Sequence, residues 1–196
     1  MKLSEILRQP SVEAAPLLLG CILSRQTPEG LLSVKIVETE AYHQDDPASH
    51  SFAGITNRTA PMFASGGHIY IYFTYGMHYC VNIVTGRQGV GEGVLLRAAE
   101  PLQGVEIMKI HRGIDNIHQL TNGPAKLTQS LGIISTGLSG KKLGPKTLQL
   151  DLPQNKVKAE DIAVSPRIGI KKAVDQPWRF YLKGSPYVSK GNIMKV

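Results

Sequence analysis

The chain has 196 residues, 42% of them hydrophobic and 19% charged, which suits one well-buried globular core. No apolar run approaches the roughly 18 residues that cross a bilayer, and the opening MKLSEILRQPSVEAAPLLLG carries Glu5, Glu13 and two prolines, a poor secretory leader. The net charge of +7 is unevenly placed: residues 1–100 hold 7 Lys and Arg against 9 Asp and Glu, and residues 101–196 hold 15 against 6. A basic second half suits a polyanion, because each neutralised phosphate releases condensed counterions.

In chain order, Ser11 to Leu19 reads as a short helix capped by Ser11, with Glu13 in its first turn. Cys21 to Gln26 and Leu31 to His43 read as strands joined by the turn Thr27-Pro28-Glu29-Gly30. Residues 44–61, rich in Asp, Pro, Ser, Gly and Asn, form a loop long enough to suggest function or disorder. Strands follow at His68 to Thr74, Met77 to Thr85 and Gly93 to Ala99, then helices at Leu102 to Arg112 and Pro124 to Leu131. Residues 135–147 are Gly- and Lys-rich and read as mobile, and short strands return at Thr147 to Leu150, Ile162 to Ser165, Ile168 to Ile170 and Arg179 to Lys183. The class is α+β: one compact domain over residues 1–196, a mixed, mostly antiparallel curved β-sheet with a few helices. Cys21 and Cys80 lack the paired spacing of a zinc site and read as buried, reduced thiols.

Two segments carry chemistry. Alternation along residues 34–42 places Glu38, Glu40 and Tyr42 on one strand face, and Val37, Thr39 and Ala41 on the other. Carboxylates beside an aromatic can hold and activate a water, although a solvated strand face is the commoner outcome of such a pattern. Along residues 68–77, Tyr70 and Tyr72 share one face and Ile69, Ile71 and Phe73 the other, while Tyr75-Gly76 falls where the chain must turn. A large ring at a loop tip is the kind of wedge that parts base steps; ordinary half-buried strand tyrosines are the plainer alternative.

The blocks IVETEAYHQDDPASHSFAGITNRTAPMF, GGHIYIYFTYGMHYCVNI, GVLLRAAEPLQG, NGPAKLTQSLGI and RFYLKGSPYVS together resemble the 3-methyladenine (alkyladenine) DNA glycosylase family, in its order and spacing, over about residues 16–189. The resemblance implies Glu40 as general base, with Arg97 helping to hold the attacking water. It implies that Tyr42 and Tyr72 sandwich a flipped base, His50 forms a third wall, and Asn82 on the pocket floor disfavours the amino group of normal guanine. It also implies that Tyr75 fills the gap in the duplex, and it favours Lys126, just inside the helix opened by Gly123-Pro124, as a phosphate contact. The loop between His43 and His50 is one residue shorter than in the family member compared, and His43 and His78 stand where other residues are expected.

The implied partner is double-stranded DNA containing damaged purines, bound by a monomer without cofactor or metal, in a cytoplasm or a nucleus. No lysine falls in the blocks near Glu40, so neither a Schiff base nor strand cleavage is expected. Two rivals stay open. His43, Asp45, Asp46 and His50 have side chains that bind zinc or manganese, although at no regular ligand spacing, which would suit a metal-dependent nuclease. A binding module without catalysis would use the basic half and exposed tyrosines alone.

Overall fold

A computed structural model describes residues 1–190. The strands are β1 (Ile22–Thr27), β2 (Gly30–His43), β3 (Ile69–Thr74), β4 (His78–Val84), β5 (Glu92–Gln103), β6 (Gln149–Asp151), β7 (Ile162–Ser165) and β8 (Arg179–Leu182). The α-helices are α1 (Leu3–Ile6), α2 (Ser11–Leu17), α3 (Val105–Arg112) and α4 (Pro124–Ser130). The strands form one sheet in the order β3-β4-β5-β2-β1-β6, with β8 pairing both β2 and β7. Every strand pairing among the described residues is antiparallel. The α+β class is as the sequence implies.

β2 organises the sheet. Its first half pairs with β1, its Glu38–Glu40 stretch with β8, and its other edge with β5. The β2–β5 register shifts between Ile36 and Glu38 and again between Glu38 and Thr39, leaving Val37 on one strand and Arg97 on the other without a partner. Extra residues of this kind re-aim side chains, and the consequence here is specific. Leu32, Val34 and Ile36 belong to the core before the shift and Ala41 after it, while Thr39 reaches the Ala15 carbonyl of α2. Strict alternation from Val34 would have sent Glu38 and Glu40 into that core; the irregularity turns them, with Tyr42, to the opposite face.

The core face packs against α2, α3 and α4 through Ala14, Ala15, Met108 and Leu127. β3 and β4 contribute Ile69, Ile71, Val81 and Ile83 to it. The other face is covered by residues 44–63, which contain two short 3-10 turns (His50–Ala53 and Ala60–Phe63), and by the connection from β7 to β8.

Four expectations are corrected. Ser11 does not cap α2; Pro10 holds that position, and the Ser11 amide donates to Glu92 Oε2 (2.6 Å) on β5. Leu102 belongs to β5, and α3 begins only after Gly104, whose left-handed φ of 75° ends the strand. Ile168 to Ile170 is not a strand, because the Ile168 amide and carbonyl bond to Glu40 and Arg97 instead of a neighbouring strand. Residues 135–147 are not loose: the Gly140 amide donates to the Ile69 carbonyl (2.8 Å) and the Ile69 amide to the Lys141 carbonyl (2.8 Å). That segment pairs the outer edge of β3, whose backbone groups would otherwise lack partners; glycine and lysine content signalled mobility that these bonds remove.

α1, which the composition did not announce, packs against the glycine pair before β3. A Cβ on Gly66 would stand 1.8 Å from the Leu7 carbonyl oxygen. Gly66→Ala is therefore expected to destabilise the protein by at least the ~1–3 kcal/mol of an overpacked site, read as a lowered urea midpoint; an unchanged midpoint would show that α1 docks loosely.

Candidate active site

The non-core face of the sheet opens into a cavity of about 480 Å³, within the roughly 300–1,000 Å³ of small-molecule sites. Tyr42 from β2, Tyr70 and Tyr72 from β3, Cys80 and Asn82 from β4, and Leu95 and Arg97 from β5 line it. His50 arrives from the covering loop, Tyr75 from the β3–β4 hairpin, and Ile168 to Lys172 from the β7–β8 connection. Of the residues singled out from sequence, Tyr42, His50, Tyr72, Tyr75, Asn82 and Arg97 thus meet in one place. Lys126 does not line the cavity, although its neighbour Pro124 does; the Lys126 amine donates to Asn122 Oδ1 (2.8 Å).

Glu40 lies behind the cavity wall and is fully buried. The Tyr42 hydroxyl donates to its Oε2 (2.8 Å), the Ile168 amide to its Oε1 (2.8 Å), and Arg97 Nη1 stands 3.2 Å from Oε1. A carboxylate offers about four acceptor positions; three are occupied, and the open one is on Oε2 beside Tyr42. Arg97 also donates through Nε to Glu38 Oε1 (3.2 Å), so one guanidinium bridges both carboxylates. Burial opposes the charge on Arg97, but Glu40 and Glu38 outweigh it and raise its pKa. The Tyr42 hydroxyl is held well above its ordinary pKa by burial and by the adjacent Glu40 charge, so it remains a donor.

Two features of the site go beyond the sequence reading, which grouped Glu38 with Glu40 and Tyr42 but gave it no role of its own. Glu38, also fully buried, accepts from Arg179 Nε (2.6 Å), the Ser189 amide (2.7 Å) and the Ser189 hydroxyl (2.8 Å) besides Arg97. It is the anchor of Arg97, and a second carboxylate two residues from Glu40 was the available signal. Arg167 was missed entirely: it pairs with Asp46, donates to the Ala41 carbonyl (3.0 Å), and lies over the rings of Tyr42 (4.6 Å) and Trp178 (5.1 Å). Nothing local in SPRIGI announces that stacking.

His50 sits edge-on to Tyr72 with ring centroids 4.5 Å apart, and its Nδ1 is 3.0 Å from the Tyr70 hydroxyl. Asn82 is buried, and its amide nitrogen donates to the Tyr70 carbonyl (3.2 Å). Tyr75 is 82% exposed at φ 51°, followed by Gly76 at φ 68°. Tyr75, Gly76 and Met77 form a three-residue loop inside the Thr74–His78 pair, and its first two residues take a positive φ that only the glycine adopts without strain. The ring is presented at a backbone cost, outward, beside the exposed Met77.

The four candidate metal ligands do not converge. His43 faces Asp45, Asp46 pairs with Arg167, and His50 meets Tyr70. Among the described residues no group of three or more His, Cys, Asp or Glu is arranged to hold a metal ion, and no helix is long and apolar enough to cross a membrane.

Comparison with known proteins agrees with this geometry. A profile of the family described as methylpurine-DNA glycosylase matches residues 5–186. The chain belongs to the methylpurine-DNA glycosylase family. Relatives provisionally named 3-methyladenine DNA glycosylase include one from Carboxydothermus hydrogenoformans, 52% identical over 88% of this chain and 90% of its own. Another, from Methanoculleus marisnigri, is 48% identical over 92% of this chain and 94% of its own, and one from Francisella tularensis is 45% identical over 96% and 98%.

Two outcomes are expected of this glycosylase-family site. Removing the Glu38 carboxylate leaves Arg179 without its acidic partner and Arg97 with Glu40 alone in a buried setting, where breaking one partner costs about 3–5 kcal/mol. Glu38→Ala should lower the urea midpoint accordingly, and a neutral effect would mean that solvent reaches the pair. Burial, aided by the Arg58 charge, lowers the His50 pKa to about 4. Between about pH 6.5 and pH 4 the unfolded chain therefore binds the proton that the folded one refuses. Folding stability should fall as pH drops through that window and be insensitive to this group above it. An NMR titration of His50 checks this; a midpoint near 6.5 would contradict it.

Proposed function

We propose that the protein is a monofunctional DNA glycosylase of base excision repair. In this reading it extrudes alkylated or deaminated purines from duplex DNA and hydrolyses the N-glycosidic bond with a water activated by Glu40, leaving an abasic site. Family membership supports the reaction class. The observation that carries the mechanism is the buried Glu40 carboxylate with one acceptor position open, directly behind a tyrosine-lined cavity.

A stacked purine keeps its C1′ out of reach, so extrusion must come first, at a few kcal/mol and less where damage has weakened pairing. Tyr75 offsets part of this by taking the vacated place in the stack. In the cavity, Tyr42 and Tyr72 supply stacking worth roughly 1–3 kcal/mol per base, and a cationic alkylpurine gains a cation–π contribution that normal bases lack. His50, uncharged at neutral pH because of its depressed pKa, adds no repulsion to such a cation. Asn82 limits the pocket floor against the amino group of guanine.

Cleavage builds positive charge on the deoxyribose, as in other glycoside hydrolyses. Glu40 serves twice, taking the proton of the attacking water and opposing the sugar's charge. Arg97 holds the carboxylate in place, while Glu38 keeps Arg97 from drawing Glu40 away from the sugar. Lys126, beside the rim residue Pro124, meets a backbone phosphate. The protein acts as a monomer.

The test is incubation with duplexes carrying 3-methyladenine, 7-methylguanine, hypoxanthine or ethenoadenine in EDTA. Strand breaks should appear only after alkali, with no borohydride-trapped adduct; chelator-sensitive activity would restore the metal-dependent rival. Glu40→Gln should lower single-turnover excision by about 10²–10⁴-fold with lesion binding retained, and an unchanged rate refutes the mechanism. Tyr75→Ala should weaken binding to a lesion in duplex more than in single strand, whereas equal losses would remove the wedge.

A further inference from the structure

No lysine falls in the sequence blocks near Glu40, but the fold brings two from the β7–β8 connection to the cavity. Lys171 and Lys172 line the same cavity as Tyr42 and Tyr72. Both are exposed, and neither forms an ion pair among the described residues, whereas Lys35, Lys109 and Lys158 each face a glutamate.

Their position is fixed by what precedes them. Arg167 is clamped by Asp46 and the Ala41 carbonyl, and the Ile168 amide is bonded to Glu40 Oε1 (2.8 Å) while its carbonyl accepts from Arg97 (3.4 Å). Gly169, at φ 78°, then turns the chain so that Ile170, Lys171 and Lys172 form one rim of the mouth. The hairpin residues Thr74 and Tyr75 contribute to another part of that rim.

We infer that Lys171 and Lys172 grip the sugar-phosphate backbone of the strand carrying the extruded nucleotide, an inference that rests on the glycosylase reading. When a base enters the cavity, its sugar and flanking phosphates remain at the mouth, the part of the duplex brought closest to this rim. Two unpaired ammonium groups on a segment tethered to the catalytic carboxylate hold those phosphates at a set distance from Glu40. The rest of the basic second half supplies a diffuse field; this pair supplies register.

The experiment measures binding of a short duplex with one reduced abasic site across a salt series, for the wild type, Lys171→Ala/Lys172→Ala, Lys171→Arg/Lys172→Arg and Lys156→Ala/Lys158→Ala. The last pair is exposed, does not line the cavity and removes the same charge. Each phosphate contact contributes about 0.9 to the slope of log K against log salt. The Lys171/Lys172 alanine variant should lose about 1.8 of slope, the arginine variant should keep it, and the distant variant should lose less than half as much. Equal losses for the two alanine variants, or no loss for the first, overturn the inference. Excision of hypoxanthine by the wild type is measured in parallel. Its presence with an unchanged slope sinks this inference alone, and the absence of excision for hypoxanthine and for the other three lesions of the panel sinks the glycosylase reading.

Discussion

One guanidinium shared between two buried carboxylates is the interaction on which the site depends. Glu38 and Glu40 stand two residues apart on β2, both out of water, and their repulsion would be costly without Arg97 within 3.2 Å of each. Arg179 adds a second cation on Glu38. Two negative and two positive groups thus balance in a region of low dielectric, where an unpaired charge is strongly disfavoured. The arrangement is asymmetric. Glu38 accepts from two arginines and twice from Ser189, which makes it an anchor, while Glu40 accepts from Tyr42 and the Ile168 amide with Arg97 beside it.

The two shifts on either side of Glu38, among the three in the β2–β5 register, make this possible. They let one strand serve two faces in succession, hydrophobic core first and polar site second, and they place the unpaired Arg97 between the acids. The same division runs through β3 and β4, whose Ile69, Ile71, Val81 and Ile83 enter the core while Tyr70, Tyr72, Cys80 and Asn82 face the cavity. Helices cover only the core face. Loops therefore close the other, which leaves the cavity open at a rim made of mobile-looking sequence held by specific bonds.

Much of this was legible in the residues. Alternation in Glu38-Thr39-Glu40-Ala41-Tyr42 and in Ile69-Tyr70-Ile71-Tyr72 gave the correct grouping of acids and rings, and Tyr75-Gly76 marked the hairpin tip. What escaped depends on contacts between distant segments. Residues 135–147 look unstructured because their order comes from the edge of β3, about seventy residues earlier. Ile168 to Ile170 has strand-like composition, yet its backbone bonds go to the Glu40 and Arg97 side chains. Arg167 is one arginine among several until the fold lays it across Tyr42. The helix at Pro124 was readable, and within it the Lys126 amine bonds to Asn122 Oδ1.

The most direct measurement is the structure of the protein with a duplex in which a cationic pyrrolidine ring replaces the deoxyribose of the target nucleotide. The account predicts an ordered water within hydrogen-bonding distance of both Glu40 Oε2 and the pyrrolidine, with Tyr75 occupying the vacated stack. Glu40 still sealed behind Tyr42, with no water reaching its carboxylate, would contradict it.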